Sequence, residues 1–182
     1  MTTSQTNLYH LTIREAAGLL KSGQLSPVEL TQAFLDRIEA TDDRLHSYII
    51  VLKEQALDDA RLAEAEIRRG DYKGPLHGIP FALKDLYDTA GVTTTAGSKV
   101  YIDRVPTEDA TTTARLKAAG GTLLGKLAMH EFALGGPDFT TPFPPARNPW
   151  NLDHITGGSS SGSGSAVASG QGMGALGSCT GG

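Results

Sequence analysis

The chain has 182 residues, of which 39% are hydrophobic and 20% are charged, and this composition is typical of a folded globular protein. Its formal net charge is −4 and its lysines and arginines are scattered, so direct nucleic-acid binding is not expected. A single cysteine excludes an internal disulfide framework, and no apolar run approaches the roughly 18 residues of a membrane-spanning helix. These features predict a cytoplasmic protein with no membrane segment.

The first seventy residues carry repeated signals for helix starts. Thr12 followed by Glu15 matches a capping box, and Ser26 precedes a proline at a first helical position. Apolar spacing and the helix-favouring alanines and charges extend these starts into three predicted helices, at about residues 13–22, 27–42 and 50–69. Residues 1–73 are therefore predicted to be a helical region that contributes packing and no chemistry.

The pattern changes at residue 74, where turn residues precede an apolar run that predicts a buried strand over 79–83. A helix is predicted over 107–120, a strand over 122–124 and a short helix around 129–134. A strand, a helix and a strand at this spacing indicate a crossover unit and an α/β sheet. Residues 74–182 are thus interpreted as the start of an α/β core within a single domain, 1–182. The loop 135–158 is too long for an idle connection and is expected to be functional.

Residues 157–182 consist mostly of glycine and serine and carry no charge, so composition alone favours a flexible linker. The apolar pieces 166–168 and 173–176 argue against a linker, because a solvated linker has no reason to contain them. A phosphate-binding loop is a second interpretation, since Gly157 and Gly162 have the required spacing. Ser163 stands where that motif requires lysine, so the phosphate loop is disfavoured.

Two hydrolase motifs are also tested against this region. Ser160 is the central residue of a GxSxG pattern, but a polar stretch precedes it and no acid or histidine follows it. A zinc-binding HExxH motif would need a histidine where Leu134 stands. Neither motif is supported, and no metal or cofactor is expected.

Lys84 follows the apolar run of the predicted buried strand. Burial lowers the pKa of a lysine, and a neutral lysine can act as the base that activates a hydroxyl for attack on an amide. A strand-end salt bridge with the adjacent Asp85 is the simpler interpretation of a single lysine. The surrounding motifs decide between the two.

From residue 74 onward the chain resembles the amidase signature family of Ser–Ser–Lys hydrolases. The segment GPLHGIPFALKD is similar to the family's lysine strand, and AAGGTLLGKLAMHEFALG is similar to its helix–strand–helix segment. RNPWNLDHITGGSSSGSGSAVASG resembles the serine-rich signature, and ALGSCTGG the run that leads to the nucleophile. The resemblance implies an α/β fold with N-terminal helices and a mixed sheet covered by helices.

The resemblance also implies roles for individual residues. Lys84 matches the family's catalytic lysine, and Ser159 matches its bridging serine, which a cis peptide bond holds. Gly157, Gly158 and Ser160 belong to the signature loop, and the backbone amides of three residues match the oxyanion hole: Thr180, Gly181 and Gly182. The implied reaction is cleavage of the C–N bond of a small-molecule amide through an acyl-enzyme, without a cofactor.

The family's nucleophilic serine would be residue 183, directly after Gly182. Ser161 replaces a usual glycine, and Cys179 replaces an aspartate that commonly precedes the Thr-Gly-Gly run. Cys179 as a substitute nucleophile is disfavoured, because it stands at the wrong position. Family members are more than twice this length, so further strands are expected to complete the sheet, and residues 1–182 alone are expected to be inactive and poorly stable.

Two other functions stay open from the sequence. The chain could belong to the amidotransferase subunit that supplies ammonia for tRNA-dependent amidation, which shares these motifs and needs partner subunits. It could also be a truncated, non-catalytic module. The amide substrate and the oligomeric state are not determined by the sequence.

Overall fold

The computed structural model describes residues 8–178. Within that range the α-helices are α1 Ile13–Lys21, α2 Pro27–Leu45, α3 Lys53–Arg68, α4 Thr111–Ala118 and α5 Ser161–Ala168. The strands are β1 Tyr48–Val51, β2 Pro80–Lys84, β3 Thr122–Leu127 and β4 Gly174–Leu176, and short 3₁₀ turns cover Leu8–His10, Lys99–Tyr101 and Glu131–Ala133. No helix among the described residues is both long and apolar enough to span a bilayer.

The first two predicted helix starts are confirmed by their capping contacts. The Thr12 hydroxyl accepts a hydrogen bond from the Glu15 amide at 3.2 Å, and the Glu15 carboxylate accepts one from the Thr12 amide at 2.8 Å. The Ser26 hydroxyl caps α2 by accepting from the Val28 amide at 3.0 Å. Caps depend on neighbours in the sequence, so local patterns are sufficient to place these starts.

The end of α2 and the start of α3 differ from the prediction. Residues 50 and 51, predicted as helix, belong to strand β1, which runs antiparallel to β3. Its backbone is held there by a distant strand, with Tyr48 opposite Leu127. The Asp42 carboxylate also accepts a hydrogen bond from the Ser47 amide at 2.8 Å and so shapes the turn after α2. Tertiary pairing therefore overrides the helical tendency of this stretch.

The four described strands form one mixed sheet in the order β1–β3–β2–β4. Strand β2 runs parallel to both β3 and β4, whereas β1 is antiparallel to β3. The predicted strand–helix–strand crossover thus corresponds to β2, α4 and β3, and the α/β class with a mixed sheet is confirmed. Helix α4 is shorter than predicted, and the predicted helix around 129–134 is only a 3₁₀ turn.

Helices cover the sheet and bury its central strands. Side chains of α1, α2 and α3 pack with Ile79 and Leu124 into the largest apolar cluster, and Ala82, Leu127 and Ala166 join β2, β3 and α5. Every residue of β2 and β3 is buried. Burying one large apolar side chain stabilises the fold by about 1.5–3 kcal/mol, so these contacts hold β2 and β3 firmly in the interior. Strand β2 therefore carries Lys84 into the interior.

The glycine–serine segment is folded. It forms the helix α5 and the strand β4, and the buried residues of α5 include Ser161, Gly162 and Ala166. The linker interpretation is therefore wrong for residues 161–176. Small side chains allow close approach to the sheet here, which explains a composition that otherwise suggests a tail.

Candidate active site

Lys84 is the last residue of β2 and is completely buried. Its Nζ lies 2.6 Å from Ser159 Oγ, although the two residues are 75 positions apart in the sequence. The structure therefore brings together the two side chains that the family resemblance pairs. An amine and a hydroxyl at this distance can exchange a proton directly.

Ser159 is held through its backbone. The peptide bond between Gly158 and Ser159 is cis, and the Ser159 carbonyl accepts a hydrogen bond from the His130 amide at 3.0 Å. The His130 ring lies against Gly158, so a β-carbon at position 158 would overlap that ring. Gly157 precedes this point with φ +77°, a backbone conformation that favours glycine. Glycine is thus required at position 158 by the close approach of the His130 ring, and it is favoured at position 157 by the positive φ.

Ser160 takes a different role from Ser159. Its hydroxyl accepts a hydrogen bond from the Ser178 amide at 3.0 Å and contacts the Ser178 carbonyl at 2.9 Å. These bonds tie the signature loop to the segment that follows β4. Ser160 therefore positions backbone, and its contacts do not support the GxSxG interpretation, in which it would be the nucleophile.

Helix α5 approaches the end of β3 at backbone distance. The Gly162 amide donates to the Ala128 carbonyl at 2.9 Å, and the Ala128 amide donates to the Ser47 carbonyl at 2.8 Å. A β-carbon on Gly162 would overlap the Ser47 carbonyl oxygen and lie 2.5 Å from the Ala128 nitrogen. This contact fixes where α5 starts, immediately after Ser159 and Ser160.

Ser178 is a site residue that the sequence patterns missed. Its hydroxyl lies 2.9 Å from Lys84 Nζ and its carbonyl oxygen lies 3.4 Å away. The available signal was its place in the ALGSCTGG run, which was interpreted for residues 179–182 and not for Ser178. Cys179 and the expected oxyanion-hole residues Thr180, Gly181 and Gly182 lie outside the described residues.

Asp85 contacts Lys126, a residue that the sequence patterns also missed. Its Oδ1 lies 3.0 Å from Lys126 Nζ, and both side chains are fully buried. The contact is an ion pair rather than a well-directed hydrogen bond, since Oδ1 has no hydrogen-bond partner by geometry. Burial lowers the pKa of Lys126, and the Asp85 carboxylate opposes that effect. A strand-end salt bridge is thus present, and the lysine in it is Lys126.

The sequence profile of the Amidase family matches residues 29–182, which is most of the chain. The chain belongs to the amidase family. Membership agrees with the α/β fold described above and with the expectation drawn from the lysine strand and the serine-rich segment.

Its relatives include glutamyl-tRNA(Gln) amidotransferase subunits A. Those of Moorella thermoacetica and Trichlorobacter lovleyi are each 49% identical to this chain over 175 residues, or 96% of the chain and 36% of the relative. Among solved structures, the peptide amidase of Stenotrophomonas maltophilia superposes with a TM-score of 0.83 at 35% identity, covering 90% of this chain and 35% of that protein. The chain thus spans 36% of the length of these curated relatives.

Proposed function

We propose that this amidase-family chain supplies the lysine base and the bridging serine of a site that hydrolyses carboxamide C–N bonds. The observation that carries the proposal is the 2.6 Å contact between Lys84 Nζ and Ser159 Oγ inside the protein. The family resemblance adds a nucleophilic serine at position 183 and oxyanion donors at Thr180, Gly181 and Gly182.

The contacts of Lys84 support a proton relay through Ser159. A neutral amine has two N–H bonds and one lone pair. Nζ lies within hydrogen-bond distance of the Ser159 hydroxyl and of the hydroxyl and carbonyl oxygens of Ser178, and the lone pair of the neutral amine can accept the Ser159 proton. Ser159 then gives its proton to Lys84 and takes one from the nucleophilic serine, whose oxygen attacks the amide carbonyl.

The same relay, run in reverse, completes the first half of the reaction. Lys84 as an ammonium returns the proton through Ser159 to the leaving nitrogen, the C–N bond breaks, and ammonia or an amine departs. The acyl-enzyme that remains is cleaved by water, which the relay activates in the same way. Within this relay only the neutral amine of Lys84 can accept a proton.

Ammonia supply within an amidotransferase is the second candidate function. It is favoured by sequence identity, which is 49% to the glutamyl-tRNA(Gln) amidotransferase subunits A and 35% to the peptide amidase. Under this second candidate function the amide substrate is glutamine, the released ammonia passes to a partner subunit, and the protein works in the cytoplasm. Both candidates use the same Lys84 and Ser159 chemistry.

The experiment that separates them uses the full-length protein that contains these residues. Ammonia release is measured with glutamine and with a panel of simple carboxamides, and co-purifying subunits are identified. Glutamine turnover that needs co-purified subunits supports the amidotransferase. Turnover of simple amides by the purified protein alone supports the amidase. Absence of turnover on every amide, with and without partners, contradicts both.

Replacing Ser159 by alanine is expected to lower kcat by about 100-fold, because the proton then has no hydroxyl bridge to Lys84. KM is expected to change little, since Ser159 passes a proton and does not bind the substrate. The matched control is Ser169→Ala at the far end of α5, where the hydroxyl bonds the Ser165 carbonyl at 2.7 Å. Equal activity of the Ser159 and Ser169 variants would contradict the relay.

A further inference from the structure

A buried ion pair follows the candidate base directly in the sequence. Asp85 Oδ1 and Lys126 Nζ lie 3.0 Å apart, and neither side chain is exposed. Apolar residues of similar volume often stabilise a protein as well as a buried ion pair does, so stability alone does not explain the pair. Its hydrogen bonds indicate what it organises.

Both partners hold the loop 94–98. Lys126 Nζ donates to Thr94 Oγ1 at 2.6 Å, and Asp85 Oδ2 accepts from the Thr95 amide at 2.8 Å and from its hydroxyl. The Asp85 carbonyl also accepts from the Ala96 amide at 3.0 Å. The ion pair therefore joins the ends of β2 and β3 to one loop through at least four hydrogen bonds.

The pair lies on the opposite side of the sheet from Lys84. Consecutive residues of a strand point to opposite faces, and in the parallel register Lys126 stands beside Leu83 while Leu127 stands beside Lys84. The Asp85 amide continues this register by donating to the Leu127 carbonyl at 3.0 Å. Asp85 and Lys126 can thus act on Lys84 through the backbone of β2 and through their charges, without touching the reacting atoms.

Further contacts connect the loop 94–98 to Ser159. The Ala96 carbonyl accepts from the Phe132 amide at 2.9 Å, which fixes the turn that contains His130. His130 in turn donates its amide to the Ser159 carbonyl and packs its ring against Gly158. A continuous series of contacts therefore connects Asp85 to the backbone of Ser159.

We infer that Asp85 and Lys126 are positioning residues that set the separation of Lys84 and Ser159 and keep the Asp85 charge compensated beside the base. The inference rests on the proposed amide hydrolysis. A carboxylate without its cation would favour the ammonium form of Lys84 and so reduce the fraction that can accept a proton. Asp88 and Arg104 act on Lys126 through their charges, Tyr87 donates to the Gly177 carbonyl at 2.6 Å, and His130 lies against Gly158. The test leaves these titratable groups unchanged.

The test measures pH profiles of kcat and kcat/KM in the full-length protein with its best amide substrate. Lys126→Met is expected to move the acidic limb of kcat/KM upward by about one pH unit and to lower kcat by about 10-fold or more. The double variant Asp85→Asn, Lys126→Met removes both charges. The acidic limb of its kcat/KM profile is therefore expected to lie at the wild-type pH, while kcat stays low. Lys126→Arg, which keeps the charge, is expected to retain the original limb.

Two further variants keep the test decisive. Thr95→Val removes the hydroxyl bond to Asp85 but no charge, so kcat is expected to fall about 10-fold without movement of the limb. This variant carries the test if Lys126→Met fails to fold. Lys73→Met, which breaks an ion pair with Glu66 at 2.7 Å, is the control with an unchanged profile.

The outcomes separate this inference from the proposed function. Wild-type protein without amide turnover would contradict the proposed function itself. Active wild-type protein with unchanged kcat and pH limb in both the Lys126→Met and the Thr95→Val variants would overturn the positioning role alone. Loss of folded protein in the Lys126→Met variant that Lys126→Arg reverses, together with an unchanged kcat in the Thr95→Val variant, would show a purely structural pair and would also overturn it.

Discussion

Replacing Lys84 by methionine is expected to lower kcat for amide hydrolysis by about 10⁴-fold, the upper end of what a general base contributes. Methionine fits the buried end of β2 about as well as the lysine stem does, but it has no lone pair on nitrogen to accept the proton of Ser159. The measurement is steady-state turnover of the full-length protein, with its melting temperature recorded in parallel. Folded, inactive protein is the expected result.

Lys99→Met is the matched control, because Lys99 is exposed in the 3₁₀ turn after loop 94–98. Its activity is expected to equal that of the wild type. Hydroxylamine added to the wild type should intercept the acyl-enzyme and yield a hydroxamate, whereas the Lys84→Met variant should yield none. An active Lys84→Met variant would show that another group removes the proton, and the relay through Ser159 would have to be abandoned.

Gly162→Ala is expected to lower the free energy of unfolding by about 3 kcal/mol, because the added methyl would overlap backbone atoms that cannot move as a side chain can. The Ser47 carbonyl and the Ala128 amide occupy the space. Activity is expected to fall with stability, since α5 begins directly after Ser159. Urea unfolding, followed together with amide turnover, measures both effects.

Gly164→Ala in the same helix is the matched control. Gly164 is exposed, and a β-carbon there would meet no atom within 4 Å beyond its chain neighbours and the backbone of its own helix. Alanine is favoured over glycine in a helix by about 1 kcal/mol, so this variant is expected to be as stable as the wild type or more so. Equal destabilisation by the two alanines would contradict the close approach of α5 to β3.

Local sequence signals were sufficient for part of the fold. The capping contacts of Thr12 and Ser26 join residues only two or three positions apart, so the helix starts could be read directly. The apolar run before Lys84 predicted the buried strand for the same reason. Strand β1 was missed because its backbone is held by β3, about 75 residues further along the chain. The glycines and serines of α5 give no helical pattern. This helix was missed because it is stabilised by packing against β3 and not by its own sequence.

The sequence likewise determined only part of the candidate site. The sequence determined that Lys84 ends a buried strand and that Ser159 follows a glycine pair, and the resemblance assigned their roles. Only the tertiary structure decided that Asp85 contacts Lys126, that Ser178 contacts Lys84, and that His130 lies against Gly158. Partner choice among buried polar groups depends on which strands are adjacent and on which face each side chain points to. Those relations join residues far apart in the chain, and no local pattern records them.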